Sequence, residues 1–213
     1  MYLGKWKGVG KSFLRYKYFL SLPQLHASIN GFSTGIPIGG PQVTTKPATS
    51  TDVAPDIILH HFNEIQGQSQ GRIAILGTSE LNKNQQQVIE MLSYALILSG
   101  NHVYTSGGGD GTNIAVIRGA LRAGNPDLLT VMLPQSLDRQ PGSMQILLKD
   151  VRNLLQQPEN DGLGLREAAQ LCNYRLMSMV DKVIVFVYHD SATILNPLEE
   201  FEEVVEVVRF FLD

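Results

Sequence analysis

Ser106-Gly107-Gly108-Gly109-Asp110-Gly111-Thr112-Asn113 is the stretch where a strand pattern, His102-Val103-Tyr104-Thr105, breaks into glycines and restarts as a helix, Asn113 to Leu121. Four glycines in five positions free the backbone to take positive φ and to approach a ligand with no side chain in the way. The first amides of the following helix have no partner inside the helix. Gly107, Gly108, Gly109, Gly111 and Thr112 are therefore expected to offer backbone amides to an anion, with phosphate or a nucleic-acid backbone as the natural candidates. The competing reading is a tight strand-to-helix turn that binds nothing, and the rest of the chain has to decide between them.

Outward from this centre the texture is a regular alternation of strands and helices. Upstream, Arg72-Ile73-Ala74-Ile75-Leu76 is a short apolar run of the kind buried on both faces of a parallel sheet, and it ends in Gly77-Thr78-Ser79. Asn84 to Ser99 carries Val88, Leu92, Ala95 and Leu96 on one helical face and stops at Gly100-Asn101. Downstream come a strand at Leu128–Leu133, a helix opened by Pro141 and running to about Lys149, and a strand at Val151–Leu155. A helix over Leu165–Val180 and the strongest strand signal, Lys182–Tyr188, follow; a last helix is expected from Pro197 and a last strand from about Glu206 to Leu212. This order predicts an α/β fold, a Rossmann-like, doubly wound, mainly parallel sheet. In such sheets ligands sit outside the carboxyl ends of the strands, and Gly77–Ser79, Ser106–Asn113, Pro134–Ser136 and His189–Ser191 all follow strand ends.

The chain has 213 residues, enough for one domain and a tail. Residues 65–213 are assigned to the Rossmann-like domain, and residues 1–64 to a basic, aromatic segment followed by a linker rich in Pro, Gly, Ser and Thr. Charge divides along the same line, with a net +3 over residues 1–70 and −6 over residues 71–213. An acidic core argues against broad electrostatic binding of nucleic acid, although a local basic groove can survive inside an acidic total. One cysteine, Cys172, excludes an internal disulfide framework and fits a reducing compartment, the cytoplasm or, in a plant, the plastid stroma. No run approaches the roughly 18 apolar residues that span a membrane, so no integral membrane contact is expected.

Three segments resemble one family. Ser106 to Leu121, SGGGDGTNIAVIRGAL, is similar without a gap to the signature of the DNA-processing protein A (DprA/Smf) family, roughly SG-x-A-R-G-I-D-x-A-A-H-R-G-A-L. Ser106, Gly107, Gly111, Ala115, Arg118, Gly119, Ala120 and Leu121 match it. Ala74 to Ser79 resembles the family's strand and GSR turn, and Cys172-Asn173-Tyr174-Arg175-Leu176 with Asp181–Phe186 resembles its R-N-R-I-I segment and the strand after it. The resemblance covers about residues 71–190 and implies a Rossmann-like fold of the wider LOG/SLOG superfamily with a ligand crevice. It further implies single-stranded DNA binding, a recombinase partner and a role in DNA recombination and uptake. The departures are Asp110 for the arginine of the Gly-rich loop, Asn113 for its aspartate, Ser79 for the GSR arginine, and Cys172 and Tyr174 for the arginines around Asn173, with Arg175 one place late. The wording of the segments is similar to a divergent branch found in cyanobacteria and plant plastids.

The ligand set expected on these grounds is Gly77, Thr78, Ser79, Ser106, Gly107, Gly108, Gly109, Asp110, Gly111, Thr112, Asn113, Arg118, Asn173 and Arg175, for single-stranded DNA or a nucleotide. The alternative function is a small-nucleotide sensor, or a phosphoribohydrolase similar to the cytokinin-activating LOG enzymes acting on nucleoside monophosphates. That enzyme's P-G-G-x-G-T-x-x-E loop is not reproduced, because Ala115 and Val116 stand where its Glu is needed; Asp110 and His189 would be the acid–base candidates. No Ser/His/Asp order, HExxH or CxxC is present at a convincing spacing, so no catalytic residue, metal or cofactor is assigned. The pair His60-His61 lacks further ligands at metal spacing. A free apolar edge over Val207–Leu212 would be an aggregation hazard, which predicts a homo-oligomer.

Overall fold

The computed structural model describes residues 70–107, 110–188 and 191–212. The segment 1–64, the domain boundary at 65, His60-His61, Gly108, Gly109, His189 and Asp190 lie outside the described residues. Six strands, β1 (Arg72–Gly77), β2 (His102–Ser106), β3 (Leu129–Met132), β4 (Asn153–Leu155), β5 (Lys182–Val187) and β6 (Glu206–Phe211), form one sheet in the order β4-β3-β2-β1-β5-β6. Every pairing is parallel. The helices are α1 (Lys83–Leu98), α2 (Thr112–Arg122), α3 (Gly142–Leu148), α4 (Leu165–Met177) and α5 (Ala192–Phe201). This is the expected α/β, Rossmann-like, doubly wound arrangement. Among the described residues no helix is long and apolar enough to cross a membrane.

The two-residue period of the strands sorts the core into two layers. Ile73, Ile75, Val103, Val131, Ile184 and Phe186 face α1, α2 and α3 through Val88, Leu92, Val116, Ile117, Met144 and Leu148. Ala74, Leu76, Tyr104, Met132, Val183 and Val185 face α4 and α5 through Cys172, Leu176, Leu198 and Phe201. Strands apolar on both faces can only be satisfied between two helical layers, which is why the sequence reads as unbroken apolar runs rather than alternation.

Local signals fix the element ends. Asn82 caps α1, its side chain accepting from the Gln85 amide at 2.9 Å while the Gln85 side chain accepts from the Asn82 amide at 2.9 Å. Gly119 lets α2 lie against α1, since a Cβ there would strike the Glu90 backbone. Arg72 and Asp181 tie the bottoms of β1 and β5 by a forked pair, Nη2 to Oδ1 at 2.8 Å and Nε to Oδ2 at 3.1 Å. The last helix begins at Ala192, five residues before the expected start at Pro197, because the proline sits inside the helix rather than in its first turn. A proline inside a helix forgoes its own N–H bond and crowds the carbonyl four residues earlier, yet the helix runs on to Phe201.

The chain steps from β1 to β4 in one direction across the sheet, and then crosses to the far side of β1 to lay down β5 and β6. The connections leaving β1 and β5 therefore diverge, and the switch point lies at the carboxyl ends of these two neighbours.

Candidate functional site

A crevice of about 420 Å³ opens at that switch point. It is lined by the end of β1 and its turn (Leu76, Gly77, Thr78, Ser79), the end of β2 (Ser106, Gly107), and Asn113 of α2. Pro134 after β3, Ser191 and Ile194 at the start of α5, and Leu165, Arg166, Ala169 and Asn173 of α4 complete the lining. The strand-end turns singled out in the sequence thus meet around one cavity, within the roughly 300–1,000 Å³ typical of small-molecule sites.

Hydrogen bonding decides which groups remain available to a ligand. The Thr78 amide donates to the Phe186 carbonyl at 2.9 Å and the Gly107 amide to the Met132 carbonyl at 2.7 Å. The Thr112 amide and hydroxyl both donate to the Thr78 carbonyl, at 3.1 and 3.0 Å. The expected anion-binding amides of Gly107 and Thr112 are therefore already used within the protein. Gly111 explains why: at φ 74° and ψ −125° it brings α2 against the Thr78–Ser79 backbone, where a Cβ would meet the Thr78 carbonyl oxygen at 2.6 Å.

Hydroxyls are placed differently. Thr78 Oγ1 accepts from the Glu80 amide at 3.1 Å, Ser106 Oγ from Asn113 Nδ2 at 3.1 Å, and Ser191 Oγ from the Tyr188 amide at 3.1 Å. In each case the O–H has no acceptor among the described residues and is free to donate to a ligand. Ser191 stands at the N-cap of α5 but makes no cap bond. Ser79 is exposed at the mouth. Asn173 is 7% exposed and its Oδ1 has no partner.

The remaining expected residues stand apart from the lining. Asp110 is exposed beside the Gly-rich turn. Arg118 is exposed on α2, five residues beyond Asn113 and so about 140° around the helix from it. Arg175 follows Asn173 by two residues, about 200° around α4, and pairs instead with Glu159 at 3.4 Å. The cation on the crevice face of α4 is Arg166, seven residues before Asn173, or about two turns. Sequence reasoning passed over Arg166, Leu165, Ala169 and Ile194, while Pro134 belongs to a strand-end turn it had singled out. The signal was available in the buried stripe Ala168, Cys172 and Leu176, which orients the helix and puts residues 166, 169 and 173 along one flank.

The wall on the β3 and β4 side is tied by side-chain amides. Gln135 Nε2 donates to the Asn160 and Leu163 carbonyls at 3.2 and 3.1 Å, Gln157 Nε2 to the Leu133 carbonyl at 3.2 Å, and Asn160 Nδ2 to the Pro134 carbonyl at 3.1 Å. The Ser136 amide donates to Asp161 at 2.8 Å, and its hydrogen bonds hold the Asp161 carboxyl below the usual carboxylate range. Cys172, next to Asn173, is fully buried with its thiol 3.4 Å from the Met132 carbonyl, and burial pushes the thiol up to about 12. Among the described lining residues Arg166 is the one ionisable group. What this set can do is hold a ligand through several hydroxyl donors, one cation and one carboxamide, beside the apolar surface of Leu76, Leu165, Ala169 and Ile194.

No protein-family model matches the chain, and no curated protein matches it in sequence. Solved structures do. DNA processing protein A from Helicobacter pylori, described for its single-stranded DNA binding mode, superposes with a TM-score of 0.53 at 20% identity over 64% of this chain and 64% of its own. A molybdenum cofactor binding protein from Rippkaea orientalis gives 0.44 at 14% identity over 67% and 91% of the two chains. The molybdenum cofactor carrier protein of Chlamydomonas reinhardtii gives 0.37 at 14% identity over 66% and 90%. The last two likenesses are too loose to bear on function. The first is a likeness of fold, and this chain's Rossmann-like sheet is the one it shares with DNA processing protein A.

Proposed function

We propose that the switch-point crevice binds a nucleotide, one phosphate-bearing unit at a time. The observation that carries this reading is the convergence on one small cavity of Thr78, Ser106 and Ser191, each with its O–H uncommitted, together with Arg166 at the rim. Hydroxyl donors and a guanidinium suit a phosphate, and the apolar side formed by Leu76, Leu165, Ala169 and Ile194 suits the face of a base. The test is calorimetric titration with nucleoside monophosphates at low salt. Arg166→Ala should weaken binding about tenfold, the scale of one lost charge-assisted hydrogen bond, whereas Arg175→Ala, on the opposite side of α4, should leave it unchanged. Absence of binding at millimolar nucleotide would overturn the reading.

Single-stranded DNA is the second reading, favoured by the three-segment resemblance to the DNA-processing protein A family, and with it would go a recombinase partner and a role in recombination. A strand needs cations along its path, whereas Arg175 is paired with Glu159, Arg152 with Asp127, and Arg122 lies over the Tyr94 ring at 5.0 Å. Oligonucleotide binding that outcompetes mononucleotides and weakens with salt on a slope of several phosphates would replace the first reading by the second.

A further inference from the structure

Asn173 carries a different kind of chemistry from the rest of the crevice. Other buried carboxamides, Gln140 apart, have backbone partners: Asn101 donates to the Leu96 carbonyl and accepts from the Gly71 amide, and Gln135, Gln157 and Asn160 knit the loops after β3 and β4. Asn173 is 7% exposed, and its side chain makes no hydrogen bond with any described residue. A buried amide oxygen without a donor is unfavourable, and the fold gains nothing from it that leucine would not provide. The other unpartnered buried oxygen, Gln140 Oε1, lies outside the crevice lining.

Around Asn173 the available polar groups of the lining are donors: the hydroxyls of Thr78, Ser106 and Ser191 and the guanidinium of Arg166. These suit an anion, whereas Asn173 Oδ1 does not; it is covered and without a donor, and because the side-chain amide makes no hydrogen bond with any described residue, turning it to bring the oxygen to an N–H or O–H of an entering ligand breaks none. A carboxamide presents an acceptor and a donor side by side, the arrangement that pairs with the edge of a nucleobase. Ala169 and Leu165 precede Asn173 by one and two turns on the same flank of α4, so the approach to the carboxamide is apolar and suited to a flat ring.

We infer that Asn173 is the base-reading residue of the crevice, selecting nucleoside monophosphates whose base offers an N–H donor beside an acceptor and rejecting those without the donor. This rests on the nucleotide reading above. The experiment compares AMP with purine riboside 5′-monophosphate, which lacks only the 6-amino group, and with 2′-deoxy-AMP, on the full chain and on Asn173→Leu. Expected are AMP and 2′-deoxy-AMP binding alike and purine riboside monophosphate at least tenfold weaker. In Asn173→Leu, AMP should fall to the level of purine riboside monophosphate while the melting temperature holds or rises. Equal affinity of the full chain for AMP and purine riboside monophosphate would overturn the base-reading role and leave the nucleotide reading standing. Loss of affinity on removal of the 2′-hydroxyl instead would show that the sugar is read and overturn it likewise. Failure of all three to bind would remove the nucleotide reading itself. The comparison between ligands on the unaltered protein needs no variant to fold.

Discussion

Gly111→Ala tests how the crevice is built. Its φ of 74° with ψ −125° is a conformation that an alanine reaches at roughly 1–3 kcal/mol. The new Cβ would also be driven into the Thr78 and Ser79 carbonyls, 2.6 Å from the Thr78 oxygen. Relief requires α2 to withdraw from the β1 turn, opening the two bonds from the Thr112 amide and hydroxyl to Thr78, at about 1 kcal/mol each. Together these give a destabilisation of about 3–5 kcal/mol. Gly124 provides the control: its φ is 76°, but a Cβ there meets nothing within 4 Å. Gly124→Ala therefore carries only the conformational part, about 1–2 kcal/mol, reduced by the lower entropy of the unfolded chain. Urea unfolding of the two variants beside the parent measures the difference, and thermal melting should separate them by about 2–4 °C per kcal/mol for a chain of this size. Equal losses in the two variants would refute the argument that Gly111 is required for close approach rather than for φ alone.

Two further outcomes follow from titrating groups. His102 is half-buried, its Nε2 2.8 Å from the Thr130 hydroxyl, and burial lowers its pKa from 6.5. The folded state thus takes up this proton less readily than the unfolded state, so the contribution is complete above pH 6.5 and declines as pH falls below it. Unfolding free energies measured from pH 7.5 to 5 should fall in the parent and fall less in His102→Gln; identical profiles would count against it. Cys172, fully buried with its thiol at about 12, should react with a disulfide reagent only as fast as the protein opens. Labelling of the native protein within the mixing time would contradict that placement.

The architecture was legible because its determinants are local. β1, β3 and β5 are apolar on both faces and bounded by turn residues, so each reads as a buried parallel strand on its own. The start of α5 was misplaced because a proline is most often a first-turn residue, and nothing near Pro197 in the sequence says that Ala192 to Asn196 already belong to the helix. The location of the crevice was legible too, since strand–helix alternation implies parallel strands and the turns after β1, β2, β3 and β5 then share one edge.

The chemistry of the crevice was harder to read, because it depends on contacts between residues far apart in the chain. A Gly-rich turn before a helix signals free amides, and the inference to an anion at Gly107 and Thr112 is sound unless another carbonyl arrives first. Here two do: Met132 comes from β3 and Thr78 from the turn after β1, the latter 34 residues before Thr112. The glycine that would let a phosphate approach the backbone instead lets the protein's own backbone approach. The Thr112 amide is thereby taken up within the protein, and the lining of the cavity carries hydroxyls, Arg166 and Asn173. On the nucleotide reading proposed above, side chains that can distinguish one ligand from another would then carry part of what main-chain amides, indifferent to the ligand beyond its charge, carry elsewhere. A site built in this way should be more sensitive to Asn173→Leu than to any loss of surface charge outside the crevice, Arg118 and Arg175 included.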